Sequence, residues 1–255
     1  MILPTIFTKY KTGLVLSGGA VKGFAHLGVL KALREKKMLP DVISGVSAGA
    51  IVGALFADGF EPEEILELFK KKKFFSLVKF KMAEMGFLNM ADMEKLLKNN
   101  LKATTFEELK IPLFIAATNI KTAQTTYFHE GNLMRALLAS SSIPVLFKPV
   151  VIDGEFYLDG GITDNLPISP LRGKCRQMIG VHVNPVGMAS EIDGIMTLAI
   201  RSFHMSITAN IPEKSKELKY FIEPVRLRDY SYFDLSKTNE IFELGYQEAL
   251  RVLNA

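Results

Sequence analysis

Short apolar runs alternate along the chain with longer stretches whose apolar residues recur every three to four positions. Strands and helices that alternate in this way build βα units, so the expected fold class is α/β with a mostly parallel central sheet. Residues 13–17, GLVLS, form a compact run ending in Gly18-Gly19, after which Leu27, Leu30 and Leu33 mark a helix over 25–37. Residues 42–47, VISGVS, lead in the same way into a helix over 48–57, with Gly59 as its C-cap. The stretch 61–73 carries Pro62 near its start, acids in its first turns and lysines in its last, the order the helix dipole favours. A helix capped by Asp92 follows over 92–101, then a buried strand over 111–120, a shorter strand over 125–131 and a helix over 133–142. Residues 145–161 read as a hairpin turning at Asp153-Gly154, and 178–185 as a further strand. Helices over 194–207 and 239–253 close the chain, with YFIEPV as the last strand between them. No repeat or low-complexity linker divides this pattern, so one domain is expected over 1–255.

Composition narrows the function classes. With 31 basic and 27 acidic residues the net charge is only +4, too mild to point to nucleic acid. Cys175 is the only cysteine, and no Cys/His ligand spacing occurs, so neither a disulfide nor a metal site is expected and a reducing compartment fits. Pro4 and the polar residues after it interrupt any signal-peptide core, which makes a cytoplasmic location the expectation. Residues 42–57 carry no charge, but a spanning helix needs about 20 apolar residues, and this run is dense in Gly, Ser and Ala. A strand, a tight turn and a buried helix account for it.

Three motifs carry the chemistry. Gly45-Val46-Ser47-Ala48-Gly49 matches G-x-S-x-G, in which a serine occupies a strained turn between strand and helix and the glycines permit close backbone approach. Ser17 to Gly23, SGGAVKG, is a second glycine-rich turn between strand and helix. A dinucleotide fingerprint fits it poorly, because Ala20 stands where the second glycine belongs and Asp41 precedes its strand. A phosphate cradle or an oxyanion hole remains, and the serine turn one βα unit later selects the hole. Asp159-Gly160-Gly161 follows the second hairpin strand, whereas Asp153-Gly154 is explained by the hairpin tip.

In this order the three motifs resemble those of the patatin-like phospholipase family: a GGGx(R/K)G loop, G-x-S-x-G and D-G-(G/A). Thr118-Asn119, the run LMRALLASSSIPVLFKPV and LDGGITDNLP add to the resemblance, which covers about 13–185 and leaves 186–255 as the C-terminal strand and helices. The resemblance implies a three-layer α/β/α fold and a lipid acyl hydrolase that needs no cofactor. It makes Ser47 the nucleophile, Asp159 the base of a Ser-Asp dyad, and the backbone of Gly18, Gly19 and Ala20 the oxyanion donors. Lys22 matches the family's basic position, while Gly23, Gly45, Gly49, Gly160 and Gly161 support the turns. Ala20 replaces the loop's third glycine; alanine is small and still offers its N–H, so the hole survives provided that its φ is not strongly positive.

Two other readings compete. The order Ser47, Asp159, His182 is that of a Ser-Asp-His triad, although His182 lies inside an apolar run; a non-catalytic lipid-binding module on the same fold is the other. The implied partner is a lipid or acyl ester. Lys70 to Lys73 with Phe74 and Phe75, and the Met- and Phe-rich stretch up to Met93, suggest either a peripheral membrane contact or lid, or packing against the core.

Overall fold

The computed structural model describes residues 8–70, 90–144, 146–188, 194–232 and 234–255. Its strands are β1 (Tyr10–Leu16), β2 (Val42–Val46), β3 (Leu113–Asn119), β4 (Gln124–Phe128), β5 (Val150–Ile152), β6 (Glu155–Asp159), β7 (Cys175–Val181) and β8 (Tyr220–Ile222). They form one sheet in the order β5-β6-β3-β2-β1-β7-β8, with β4 also paired to β3. The pairs linking β3, β2, β1, β7 and β8 are all parallel, whereas β4 and β6 run antiparallel to β3, and β5 to β6.

Helices cover both faces. Leu14 and Leu16 of β1 pack into the larger core with α1 (Phe24–Glu35), α2 (Ala48–Ala57), α3 (Pro62–Lys70) and α9 (Thr238–Leu253). Val15 points the other way, into a second cluster with Leu166, Ile168, Leu171 and Ile211. Burial on both faces is why β1 reads as a continuous apolar run and not as an alternation. The remaining helices are α4 (Met90–Asn100), α5 (Leu133–Ser140), the short α6 (Gly161–Asp164), α7 (Gly194–Thr208) and α8 (Ile211–Ser215).

Most of the elements expected from the sequence are present, and the differences have local causes. Residues 161–164, to which the sequence pattern assigns no element of their own, form the helical turn α6, closed by the Asp164 N–H on the Gly160 carbonyl. The helix expected from 92 begins at Met90, so Asp92 sits in its first turn instead of capping it. Strand β7 ends at Val181, leaving His182 just beyond it. The α8 turn, entered at Pro212, had no periodicity long enough to mark it. Asp153 and Gly154 turn the β5–β6 hairpin with φ of 50° and 78°, as an Asp-Gly tip requires. Lys70 ends α3 and pairs with Glu67; the lysines, aromatics and methionines of 71–89 lie outside the described residues. No helix among the described residues is long and apolar enough to cross a membrane.

The branching of the sheet at β3 positions the motifs. Ile115 and Ala116 of β3 pair with both β2 and β4, while Ala117 to Asn119 pair with both β4 and β6. Strands β2 and β6 therefore share the edge of β3 opposite β4, and their C-terminal ends meet there: Val46 is opposite Ala116, and Asp159 opposite Ala117. Ser47 and Asp159 are thereby brought side by side from opposite strand directions.

Candidate functional site

Ser47 stands between β2 and α2 with φ 52° and ψ −122°, a conformation that costs a non-glycine residue of order 1–3 kcal/mol. Surrounding bonds hold it. The Ser47 N–H donates to the Ser140 Oγ at 2.8 Å, and that hydroxyl donates in turn to the Ala116 carbonyl at 2.7 Å. Gly49 lets α2 start against the end of β1, since a Cβ there would lie 2.5 Å from the Leu16 carbonyl oxygen. Gly160 is equally constrained, because its Cβ would meet the Ala116 oxygen at 2.2 Å.

Asp159 is buried at the end of β6, where its N–H donates to the Ser142 carbonyl and its own carbonyl accepts from the Thr118 hydroxyl. Its Oδ1 accepts the Gly161 N–H at 2.8 Å, and the nearby Ser47 hydroxyl favours its charged form. Burial pushes this carboxyl up to about 6, against the lowering effect of those two donors. It therefore remains mostly ionised at neutral pH while being a better base than an ordinary aspartate.

The loop between β1 and α1 borders the same space. The Ser17 Oγ accepts the Val183 N–H, and the Asn184 Nδ2 donates to the Gly18 carbonyl at 2.9 Å. The Gly18 N–H, expected to face the reaction, donates instead to the Asn165 Oδ1 at 3.1 Å. Contrary to the condition set from the sequence, Ala20 adopts φ 47°, in the left-handed region that the missing glycine would occupy without strain, so the alanine keeps its N–H at the cost of backbone strain. Lys22 is buried with its Nζ over the Tyr232 ring at 4.3 Å, and burial lowers its pKa to about 8, partly offset by Asp229.

A cavity of about 230 Å³ is lined by Gly18, Gly19, Ala20, Ser47 and Asp159. The rest of its wall is chiefly apolar, from Ile143, Pro144 and Leu146 after α5 and from Ala199, Phe203 and Ile207 on α7. Three wall or support residues were not foreseen. Ser140 and Asn165 gave no pattern beyond being polar next to a motif, and His204 follows Phe203 on α7, where the i, i+4, i+8 series from Ala199 faces the cavity. His204 bonds the Asn184 carbonyl through Nε2, and burial drops its pKa to about 4. His182, by contrast, is not in this wall; its Nδ1 faces the Glu223 Oε1 at 2.7 Å and its ring stacks on Phe221. Among the described residues no three His, Cys, Asp or Glu side chains converge as a metal site would require.

Against known proteins, the family model for patatin-like phospholipases matches residues 14–172. The chain is 26% identical over 277 residues to the lysophospholipase NTE1 of Mycosarcoma maydis, covering 95% of this chain and 15% of that protein. It is 31% identical over 165 residues to an uncharacterized NTE family protein of Mycobacterium bovis, covering 64% of this chain and 46% of that one. The chain spans 15 to 19% of the length of the fungal relatives it matches. Among solved structures, VipD from Legionella pneumophila superposes with a TM-score of 0.56 at 16% identity, over 96% of this chain and 67% of that one. The type III effector ExoU gives 0.51 at 15% identity, over 96% and 53%.

Proposed function

Because this chain belongs to the patatin-like phospholipase family, we propose that it hydrolyses acyl esters of lipids with Ser47 as nucleophile and Asp159 as its base. The observation that carries the proposal is that the strained Ser47 and the buried Asp159 carboxyl, its pKa raised to about 6, line the same cavity.

Asp159 takes the Ser47 proton as Oγ attacks the ester carbonyl carbon, and the carbonyl oxygen becomes an oxyanion. The N–H groups of Gly19 and Ala20 serve as its donors; the Gly18 N–H is committed to Asn165 and instead fixes the loop. The intermediate collapses, the alcohol leaves with the proton from Asp159, and an acyl ester on Ser47 remains. Water then gives its proton to Asp159 and attacks the acyl carbon. The fatty acid departs, and the Asp159 proton returns to the Ser47 oxygen. Throughout, the apolar wall of Ile143, Leu146, Phe203 and Ile207 suits an acyl chain.

The single domain expected over 1–255 belongs to this proposal, as does a lipid or lysolipid as the substrate. Ser47 and Asp159 line one cavity, whereas His182 faces Glu223 outside that lining, which favours the dyad over the triad. Labelling with a fluorophosphonate tests the proposal. The adduct is expected on Ser47 and absent from Ser47→Ala; an unlabelled Ser47 in folded protein would favour the non-catalytic binding module.

A further inference from the structure

Helix α7 presents apolar side chains to two environments at once. Ala199, Phe203 and Ile207 line the cavity, while Ile195, Leu198 and Met205 are 86%, 50% and 56% exposed. At 3.6 residues per turn, Ile195, Leu198, Ser202 and Met205 fall within an arc of about 80°, and the cavity-lining series begins directly beside it. The helix wall therefore continues from the inside of the cavity to the outside without a charged break on that side. An Arg201 guanidinium bond to the Gly187 carbonyl, at 2.6 Å, holds the preceding segment alongside α7. That segment carries the exposed Val186 and the fully exposed Met188. Val225, also exposed, belongs to the turn whose Arg228 packs against Gly187.

We infer that this face of α7 is where the protein docks on a lipid surface, with Ile195, Leu198 and Met205 inserted among the acyl chains next to the helix face that lines the cavity. The inference rests on the lipid hydrolase reading only for its purpose. A lipid is held in its bilayer by its acyl chains, so it reaches a buried serine at least cost when the apolar wall of the cavity extends into the bilayer. Continuity of this face with the cavity wall selects a lipid surface over a protein partner, which would need no such continuity. The inserting stripe itself, Ile195, Leu198, Ser202 and Met205, carries no charge, so attachment is by apolar insertion and does not depend on anionic headgroups.

The chain contains no tryptophan, so Leu198→Trp provides a single reporter on this face. Binding is measured by flotation with phosphatidylcholine vesicles on a Ser47→Ala background, which leaves the lipid intact and separates docking from catalysis. The combined Ile195→Ser, Leu198→Ser and Met205→Ser variant is expected to lose about tenfold or more of the vesicle binding. With Ser47 present, the same variant is expected to hydrolyse a soluble short-chain ester within about twofold of the parent. The emission of the reporter tryptophan should shift to the blue on vesicles, and salt at about 0.5 M should leave binding intact. Unchanged binding by the triple variant, or no spectral shift, overturns the inference. So does binding abolished by salt, which would assign docking to the lysines of 70–73, or a dimer that only the parent forms, which would make a second copy the occupant. A triple variant that also loses soluble-ester activity and its thermal transition has misfolded, and the tryptophan variant then decides alone.

Discussion

The Ser47 N–H donates to the Ser140 hydroxyl at 2.8 Å, and Ser140 in turn donates to the Ala116 carbonyl, so one buried hydroxyl ties the serine turn to β3. Ser140→Ala leaves both groups without their partner in a buried site, a loss of roughly 2–3 kcal/mol. Ser140 is a positioning residue, so kcat should fall about tenfold or more while KM changes little. A denaturant melt and steady-state kinetics on a soluble ester check the two effects. Intact kcat in the folded variant would mean that the turn holds itself.

Ser47→Ala and Asp159→Asn should each lower hydrolysis by about a thousandfold or more, with the fold retained. Asp153→Asn should cost less than about threefold, because asparagine tolerates the left-handed backbone that Asp153 adopts at the hairpin tip. His182→Ala should keep activity within about tenfold, since its bond to Glu223 joins the end of β7 to the segment after β8. Loss of all activity in folded His182→Ala would restore the triad.

The raised Asp159 pKa sets two pH dependences. The base must be ionised, so kcat/KM should rise with pH through about 6 and level off above it. Stability runs the other way. The folded state holds this proton more tightly than the unfolded chain, whose carboxyl titrates at the ordinary value of 3.8. Its favourable contribution is thus present below that value and lost as pH rises through about 6. Asp159→Asn has no such loss, so relative to the parent it should gain roughly 2–3 kcal/mol between acidic and neutral pH. Thermal melts of both proteins across that range measure the difference; parallel curves would contradict it.

Ala20→Gly should stabilise the protein by about 0.5–1 kcal/mol, the relief of left-handed strain less the extra freedom glycine gives the unfolded chain. The Ala20 N–H is unaltered, so activity should remain within about threefold. Urea midpoints and ester hydrolysis check both. A destabilised variant would mean that the alanine methyl packs better than its backbone costs.

Most strands and helices and both glycine-rich turns were legible in the linear chain, because they depend on periodicity and on local φ/ψ demands that a short window contains. That Asp153, and not Asp159, turns the hairpin was legible too, from the Asp-Gly pair between two apolar runs. How the motifs meet was not. Ser47 and Asp159 come together because β2 and β6 enter one edge of β3 from opposite directions and end at adjacent residues, Ala116 and Ala117. That pairing joins segments more than a hundred residues apart and leaves no local trace. The same holds for the donors of the glycine loop: the bond from Gly18 to Asn165 spans 147 positions and removes an N–H that the motif alone would have counted as free. Burial of Asp159, and with it the raised pKa, likewise forms only once β3 and the segment after α5, which bonds its N–H through Ser142, close around it.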